Sequence, residues 1–308
     1  MANVSRKLQY NTEIESFLEN ILGIHDVPKK KAAIRSIDRA EAQLEKFGKY
    51  PTKTHDEYRD IEYRTSSART TLRERVIREL IEKIRLDNDD EIELGSGGAK
   101  PKHVCQNKQC YFVIGLPASG KSGVAARIAD YVGAYIMDSD LAKRKLPEYY
   151  EKDGGASLVH DEADDLIWNY KDHSGKNLNL LNYCVAHSYN MVVPTVGARF
   201  ESLKNTMRSM SMDHGYKVFL ILVELDRAKA VCRAYNRFEQ TSRYVPLAKI
   251  FDEYSNNPTI TYFKISQYAS ELLEGHAHLN NDVEYGENPR VLACINLDGI
   301  EFNRKEEQ

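Results

Sequence analysis

Hydrophobic and polar positions divide this chain into two patterns. Up to about residue 88 apolar residues recur three and four apart, with no strand-like run. Leu18, Ile21 and Leu22 mark a short first helix. Ile34, Ile37, Ala40, Leu44 and Phe47 share one face of a second helix over 32–47, which the Gly48-Lys-Tyr-Pro51 stretch stops. Leu72, Val76, Leu80 and Ile84 are the stripe of a third helix from about 55 to 84, leaving Arg73, Arg75, Arg78, Glu79 and Glu82 to face solvent or a partner. From residue 108 onwards short apolar runs alternate with amphipathic stretches. Strands are expected at 111–114, 134–137, 191–194, 218–225 and 291–297. Helices are expected at 123–132, 157–170, 177–189, 200–212 and 226–238, with one or two more over 247–273. That alternation predicts an α/β fold, a parallel sheet with helices on both faces, preceded by an all-α module. The divisions are 1–88 for the helical module, 89–107 for a Gly-rich connection and 108–308 for the α/β domain. Within the connection, acidic residues give way to glycines and then to a basic end (Asp87 to Lys102), the composition of a linker or of a loop lying over a site.

Composition narrows the function classes. With 42% hydrophobic and 29% charged residues the chain can build a core, which excludes global disorder. A formal net charge of −3 gives no overall field to recruit nucleic acid or an anionic membrane. The five cysteines, scattered and odd in number, suit a reducing compartment, and Cys105 and Cys110 have no second Cys/His pair at zinc spacing. No run approaches the ~20 apolar residues that span a bilayer. The opening Met-Ala-Asn-Val-Ser-Arg-Lys lacks a signal-peptide core, so a soluble, cytoplasmic protein is expected.

Chemistry enters with Gly115-Leu-Pro-Ala-Ser-Gly-Lys-Ser122. It fits the phosphate-loop pattern and lies between an expected strand and an expected helix, as that pattern requires. Its glycines let backbone N–H groups curl around phosphate, and the following helix adds its positive end. Gly115, Pro117, Ala118, Ser119, Gly120, Lys121, Ser122 and Gly123 would therefore line a nucleoside triphosphate. Lys121 would reach the β- and γ-phosphates and Ser122 would hold Mg²⁺. The sheet is thus expected to be P-loop kinase-like. In such sheets ligands lie at the carboxyl ends of the strands, where Asp138-Ser-Asp140 and Pro194-Thr-Val-Gly197 follow the second and third strands. A carboxylate there would bind Mg²⁺, with Asp138 the candidate beside Ser122, or take a proton from an acceptor hydroxyl. Arg233, Arg237 and Arg243 form a basic group suited to offset charge on a transferred phosphoryl group.

The phosphate loop, Asp138-Ser-Asp140, Arg237-Phe-Glu and Arg243-Tyr-Val-Pro246 together resemble the zeta toxin family of bacterial toxin–antitoxin systems, over about residues 108 to 270. The Leu94-to-Lys102 stretch is similar to members with an N-terminal extension. The resemblance implies an ATP- and Mg²⁺-dependent kinase that phosphorylates the 3′-hydroxyl of UDP-N-acetylglucosamine and so acts as a toxin. It implies Asp140 as general base, Lys121 on the ATP phosphates, and Arg237 and Arg243 on the γ-phosphate. Ser139, Asp140 and Thr195 would contact the acceptor. It also implies an antitoxin, in trans or in cis as residues 1–88. The chain departs from the best-known members at Ser139, where they carry Asn, at Pro194–Gly197, where they carry Glu-Gly-Thr, and in a shorter turn between the two arginines. Two other readings stay open. One is a P-loop kinase with another acceptor, such as a nucleotide, NAD or a polynucleotide 5′-end, the last disfavoured because no basic stripe accompanies the tyrosines. The other is a nucleotide-gated interaction protein, which Asp140→Asn would leave functional.

Overall fold

A computed structural model describes residues 6, 8–150, 154–241, 243–284, 287–297, 299, 300 and 302. The α/β part is a six-stranded sheet in the order β2–β3–β1–β4–β5–β6, with β1 at Gln109–Ile114, β2 at Tyr135–Ile136, β3 at Met191–Thr195, β4 at Lys217–Glu224, β5 at Gly275–Asn280 and β6 at Arg290–Ile295. Strand β1 lies between β3 and β4, parallel to both, and Cys110 to Ile114 are buried, as a continuous apolar run in a covered sheet requires. Helices α4 (Lys121–Val132), α5 (Ser139–Lys143), α6 (Gly155–Leu158), α7 (His160–Trp168), α8 (Leu180–Ala186), α9 (Phe200–Arg208), α10 (Arg227–Thr241) and α11 (Asn257–Tyr268) complete the layers.

Two strands differ from expectation. β5 had no strand signal, because only Gly275, Ala277 and Leu279 of Gly-His-Ala-His-Leu-Asn are buried and the alternating residues are polar. β6 is not another parallel strand. It runs antiparallel to β5, and all six of its residues are exposed. The connection from β5 contains no described helix, and an antiparallel return needs no crossover.

Before the sheet lie α1 (Asn11–Asn20), α2 (Val27–Lys49) and α3 (Ser66–Glu82). α2 begins earlier than its apolar stripe predicts, because Asp26 caps it by accepting from Lys29 N at 2.9 Å and Pro28 falls in the first turn. α3 begins later than predicted, capped by Thr65, and two short 3₁₀ turns occupy 56–58 and 61–63.

These three helices pack in two places. α1 and α2 bury Ile14, Phe17, Leu18, Ala33, Ile37 and Ala40 against α10, against residues 244–250 and against Leu116 of the phosphate loop. α3 instead sends Leu72, Val76, Ile77 and Leu80 into the main core with the sheet. Ile84, expected on the same stripe, lies past the helix end and is 49% exposed.

Part of the polar side of α3 is not solvated, although Arg75, Arg78 and Glu82 are exposed as expected. Arg69 is fully buried between Glu148 (2.7 Å) and Glu162 (2.6 Å), and Arg73 reaches Glu162 at 2.6 Å. Glu79 is buried against Lys145 at 2.8 Å. Residues 85–100 then double back along α3. Arg85 N donates to Lys100 O, Ala99 N to Leu80 O and Gly95 N to Glu79 Oε2, while Ile136 N of β2 donates to Ala99 O. Lys145 Nζ donates to the carbonyls of Glu93 and Ser96 and ties the stretch to the end of α5.

Candidate active site

The phosphate loop leaves β1 at Gly115, where a Cβ would stand 2.5 Å from Val223 O of β4, so glycine permits the close passage. Gly120 caps α4 in the left-handed region (φ 87°), and a Cβ there would meet Asn281 Nδ2 at 2.3 Å. Asn281, just past β5, donates to Ser119 O at 2.6 Å and holds the loop from the far side. Ser119 Oγ is buried without a hydrogen-bond partner among the described residues. Lys121, in the first turn of α4, donates to Leu116 O at 3.4 Å, and Ser122 beside it is exposed. Burial lowers the pKa of Lys121, opposed by the charges of Asp138 and Asp140.

Asp138 and Asp140 divide the work at the end of β2. Asp138 is the helix cap, its Oδ1 accepting from Asp140 N at 2.9 Å. Burial, then the charge of Asp140, push Asp138 up to about 6. Asp140 points the other way. It accepts from Lys143 Nζ at 2.8 Å and lies 3.6 Å from Arg243 Nη2. Burial disfavours its charge, but Lys143, Arg243 and Arg144 outweigh that and hold it well below the usual carboxylate range. Ser139 is the first residue of α5, half-buried between the two acids.

Thr195 ends β3, in register with Ile114. Gly197, at φ 68° with room for no Cβ beside Ile114, turns the chain there, and Gly115 N donates to Val196 O at 3.3 Å. Residues 194–197 thus border the phosphate loop, between the loops that follow β1 and β2.

Arg237 stands on α10. Burial pushes its pKa down, Arg243 adds to that, and its Nε is buried without a partner among the described residues. Arg243 follows α10 and pairs with Asp90 at 2.7 Å. The structure thus brings Lys121, Asp138, Asp140, Arg237 and Arg243 into one electrostatic cluster. Arg233 is engaged otherwise, its side chain donating to the carbonyls of Val283 and of Asn281, the residue that holds the phosphate loop. Three charged residues that sequence reasoning did not place at the site, Asp90, Lys143 and Arg144, complete it. The acidic start of the 87–102 stretch was the one available signal, and it reads equally well as a linker.

Comparison with known proteins gives the site a context. The zeta toxin family model matches residues 97–267, more than half of the chain. No curated protein matches it. Among solved structures it is similar to one from the PezAT chromosomal toxin–antitoxin system of Streptococcus pneumoniae, at 16% identity over 75% of this chain and 81% of that one, with a TM-score of 0.46. It is similar to AvrRxo1-ORF1:-ORF2 with ATP (12% identity, 73% and 63% covered, TM-score 0.40). A gluconokinase from Sinorhizobium meliloti 1021 is also similar (14%, 58% and 86%, TM-score 0.32). The matched span runs from the stretch ahead of β1, through the phosphate loop and the paired acids, to the arginines of α10 and beyond: the chain belongs to the zeta toxin family.

Proposed function

We propose that this protein is a kinase that transfers the γ-phosphoryl group of ATP to a hydroxyl of a small acceptor, a UDP-N-acetyl aminosugar being the first candidate. The observation that carries the reading is the Asp140 carboxylate, 2.8 Å from Lys143 Nζ and 3.6 Å from Arg243 Nη2, in the same charge cluster as Lys121 of the phosphate loop. Five cationic side chains (Lys121, Lys143, Arg144, Arg237, Arg243) surround three carboxylates (Asp90, Asp138, Asp140), an excess that suits a polyphosphate. Backbone N–H groups of Ala118 and of residues 120–123 would cradle the phosphates, those of Gly115 and Ser119 being spent on Val196 O and Leu116 O, and Lys121 would bridge the outer two. Asp140 would accept a hydrogen bond from the acceptor hydroxyl and take its proton as that oxygen bonds to the γ-phosphorus and the bond to the β-phosphate oxygen breaks, releasing ADP. Arg237 and Arg243 would meet the charge on the moving phosphoryl group. Ser139, after β2, and Thr195, at the end of the neighbouring β3, would orient the acceptor.

Ser122 and Asp138 fit Mg²⁺. Asp138 is half-buried beside a second carboxylate, a like-charge arrangement that a cation relieves. Among the described residues no three His, Cys, Asp or Glu side chains converge, which suits a cation held chiefly by nucleotide phosphates. When bound, Mg²⁺ neutralises phosphate charge and orients the β- and γ-oxygens.

No helix among the described residues is long and apolar enough to cross a membrane. Residues 1–88 are proposed as a cis-acting restraint, through the packing of α1 and α2 on the arginine-bearing α10. A separate antitoxin could occupy the same role in trans.

The test is ATP consumption by the purified protein and by Asp140→Asn, with and without UDP-N-acetylglucosamine. Turnover that needs both Asp140 and the sugar nucleotide supports the reading. Asp140-dependent turnover indifferent to the sugar nucleotide keeps the kinase and moves the acceptor to a nucleotide, NAD or a polynucleotide end. ATP binding that survives Asp140→Asn, with no turnover in either protein or in one lacking residues 1–50, points to a nucleotide-gated interaction protein.

A further inference from the structure

We infer that Asp90 is a positioning residue for phosphoryl transfer, the fixed counter-charge that draws Arg243 to Asp140. The inference rests on the kinase reading above and concerns a residue outside its phosphate loop and paired acids. Asp90 Oδ1 accepts from Arg243 Nη1 at 2.7 Å and also from Arg144 Nη2. One carboxylate oxygen therefore joins the arginine just after α5 to the arginine just after α10. Arg243 in turn spans Asp90 and Asp140, with Nη2 at 3.6 Å from the latter. Two guanidinium groups this close repel each other, and Arg144 is only 7% exposed, so it cannot swing out to water. Asp90 offsets that repulsion.

The backbone that carries Asp90 is held on both sides. Its own N–H donates to Asn88 Oδ1 at 3.1 Å, and Ile92 is fully buried. Upstream, Arg85 pairs with Asp130 of α4 at 2.7 Å; downstream, Lys145 and Glu79 grip Glu93, Gly95 and Ser96. A lid would need a stretch free to swing about its hinges, and these anchors along its length hold this one in place. The anchored partner is therefore Asp90, and the group it positions is Arg243, which stands in the turn after α10. Asp90 itself is 63% exposed, so its carboxylate is not required to fill the core.

The experiment compares Asp90→Asn, Asp90→Glu, Arg243→Ala and the double variant Asp90→Asn/Arg243→Ala in the full-length protein. Asp90→Asn is expected to lower kcat by up to about 10²-fold, the scale of a misplaced catalytic group, while KM for ATP and the melting temperature stay near wild type. Asp90→Glu should recover part of kcat. In the Arg243→Ala background, Asp90→Asn should cost nothing more, because the two act as one unit. Losses that multiply, or a rise in kcat on Asp90→Asn that would make this carboxylate a brake, overturn the inference. Amide hydrogen exchange of peptides covering 243–250 reads the docking without catalysis. Exchange there should quicken in Asp90→Asn and in Arg243→Ala alike, and unchanged exchange in Asp90→Asn overturns the inference. If neither the wild-type protein nor one lacking residues 1–50 turns over ATP with any acceptor offered, the kinase reading fails, and the exchange arm still decides whether Asp90 holds Arg243.

Discussion

Arg69 is fully buried, and its charge is matched by Glu148 and Glu162, which are themselves almost entirely covered. Removing one partner of such a group leaves the other uncompensated, which costs about 3–5 kcal/mol. Arg69→Met should therefore lower the urea midpoint steeply. Glu162 is one source of acid sensitivity. Burial alone would raise its pKa, but hydrogen bonding and charge from Arg69, then Arg73 and Thr52, bring it down to about 2 from 4.5. A carboxyl depressed in the folded state stabilises the protein above its unfolded value and ceases to do so as pH falls through the folded one. Stability should thus drop between about pH 4.5 and 2, and Glu162→Gln should flatten that part of a urea-midpoint-against-pH curve. None of this was legible from Arg69 or Glu162 in sequence, where each sits among charged residues on an amphipathic helix. Lys121 and Ser122 were legible, because strand, loop and helix must adjoin for a phosphate loop to form. Lys121→Ala should abolish ATP binding in calorimetry while leaving the fold intact, since the lysine's one described hydrogen bond is a long one to Leu116 O.

At the scale of elements, caps and glycines decide boundaries that apolar spacing cannot. α2 gains a turn from Asp26 and Pro28, and α3 waits for Thr65. Within α2, Gly48 has nothing within 4 Å of where its Cβ would stand, so Gly48→Ala should stabilise the helix by roughly 0.5–1 kcal/mol, read as a higher melting temperature. Gly98 is the opposite case. A Cβ there would lie 2.2 Å from Lys83 O and 2.4 Å from Glu79 O, backbone atoms that end α3. Gly98→Ala should destabilise by roughly 1–3 kcal/mol, as overpacking does. It should also loosen the 85–100 stretch in hydrogen exchange. β5 escaped sequence analysis because its two histidines, His276 and His278, occupy the alternating positions where an apolar run would show. The histidines are instead satisfied by Tyr262 (2.7 Å) and Glu224 (2.8 Å), partners far away in sequence.

Across the whole molecule, the helices ahead of the sheet serve two cores. α1 and α2 lie on α10 and on the stretch from Tyr244 to Ile250, with Tyr244 donating to Glu41 and Arg6 pairing with Asp252 at 2.9 Å. α3 belongs to the core around β1. Deleting residues 1–50 should therefore leave a folded protein, and under the cis-restraint proposal its ATP turnover should rise. Deleting residues 1–88 should yield an unfolded or insoluble one, because Leu72, Val76, Ile77 and Leu80 leave the core and Lys145 loses Glu79. Turnover unchanged by the shorter deletion would sink the restraint. By itself the sequence determined the α/β class, the strand carrying the phosphate loop, Asp138 and Asp140 after the second strand, and the arginines after the fourth, because period, motif and punctuation are local properties. Only the tertiary structure decided that α3 is core and α1–α2 a cover, that β6 runs antiparallel, and that Asp90 and Arg144 join the site. Those outcomes depend on which side chains and strands meet across tens of residues of sequence, and contacts over such distances leave no mark in local spacing.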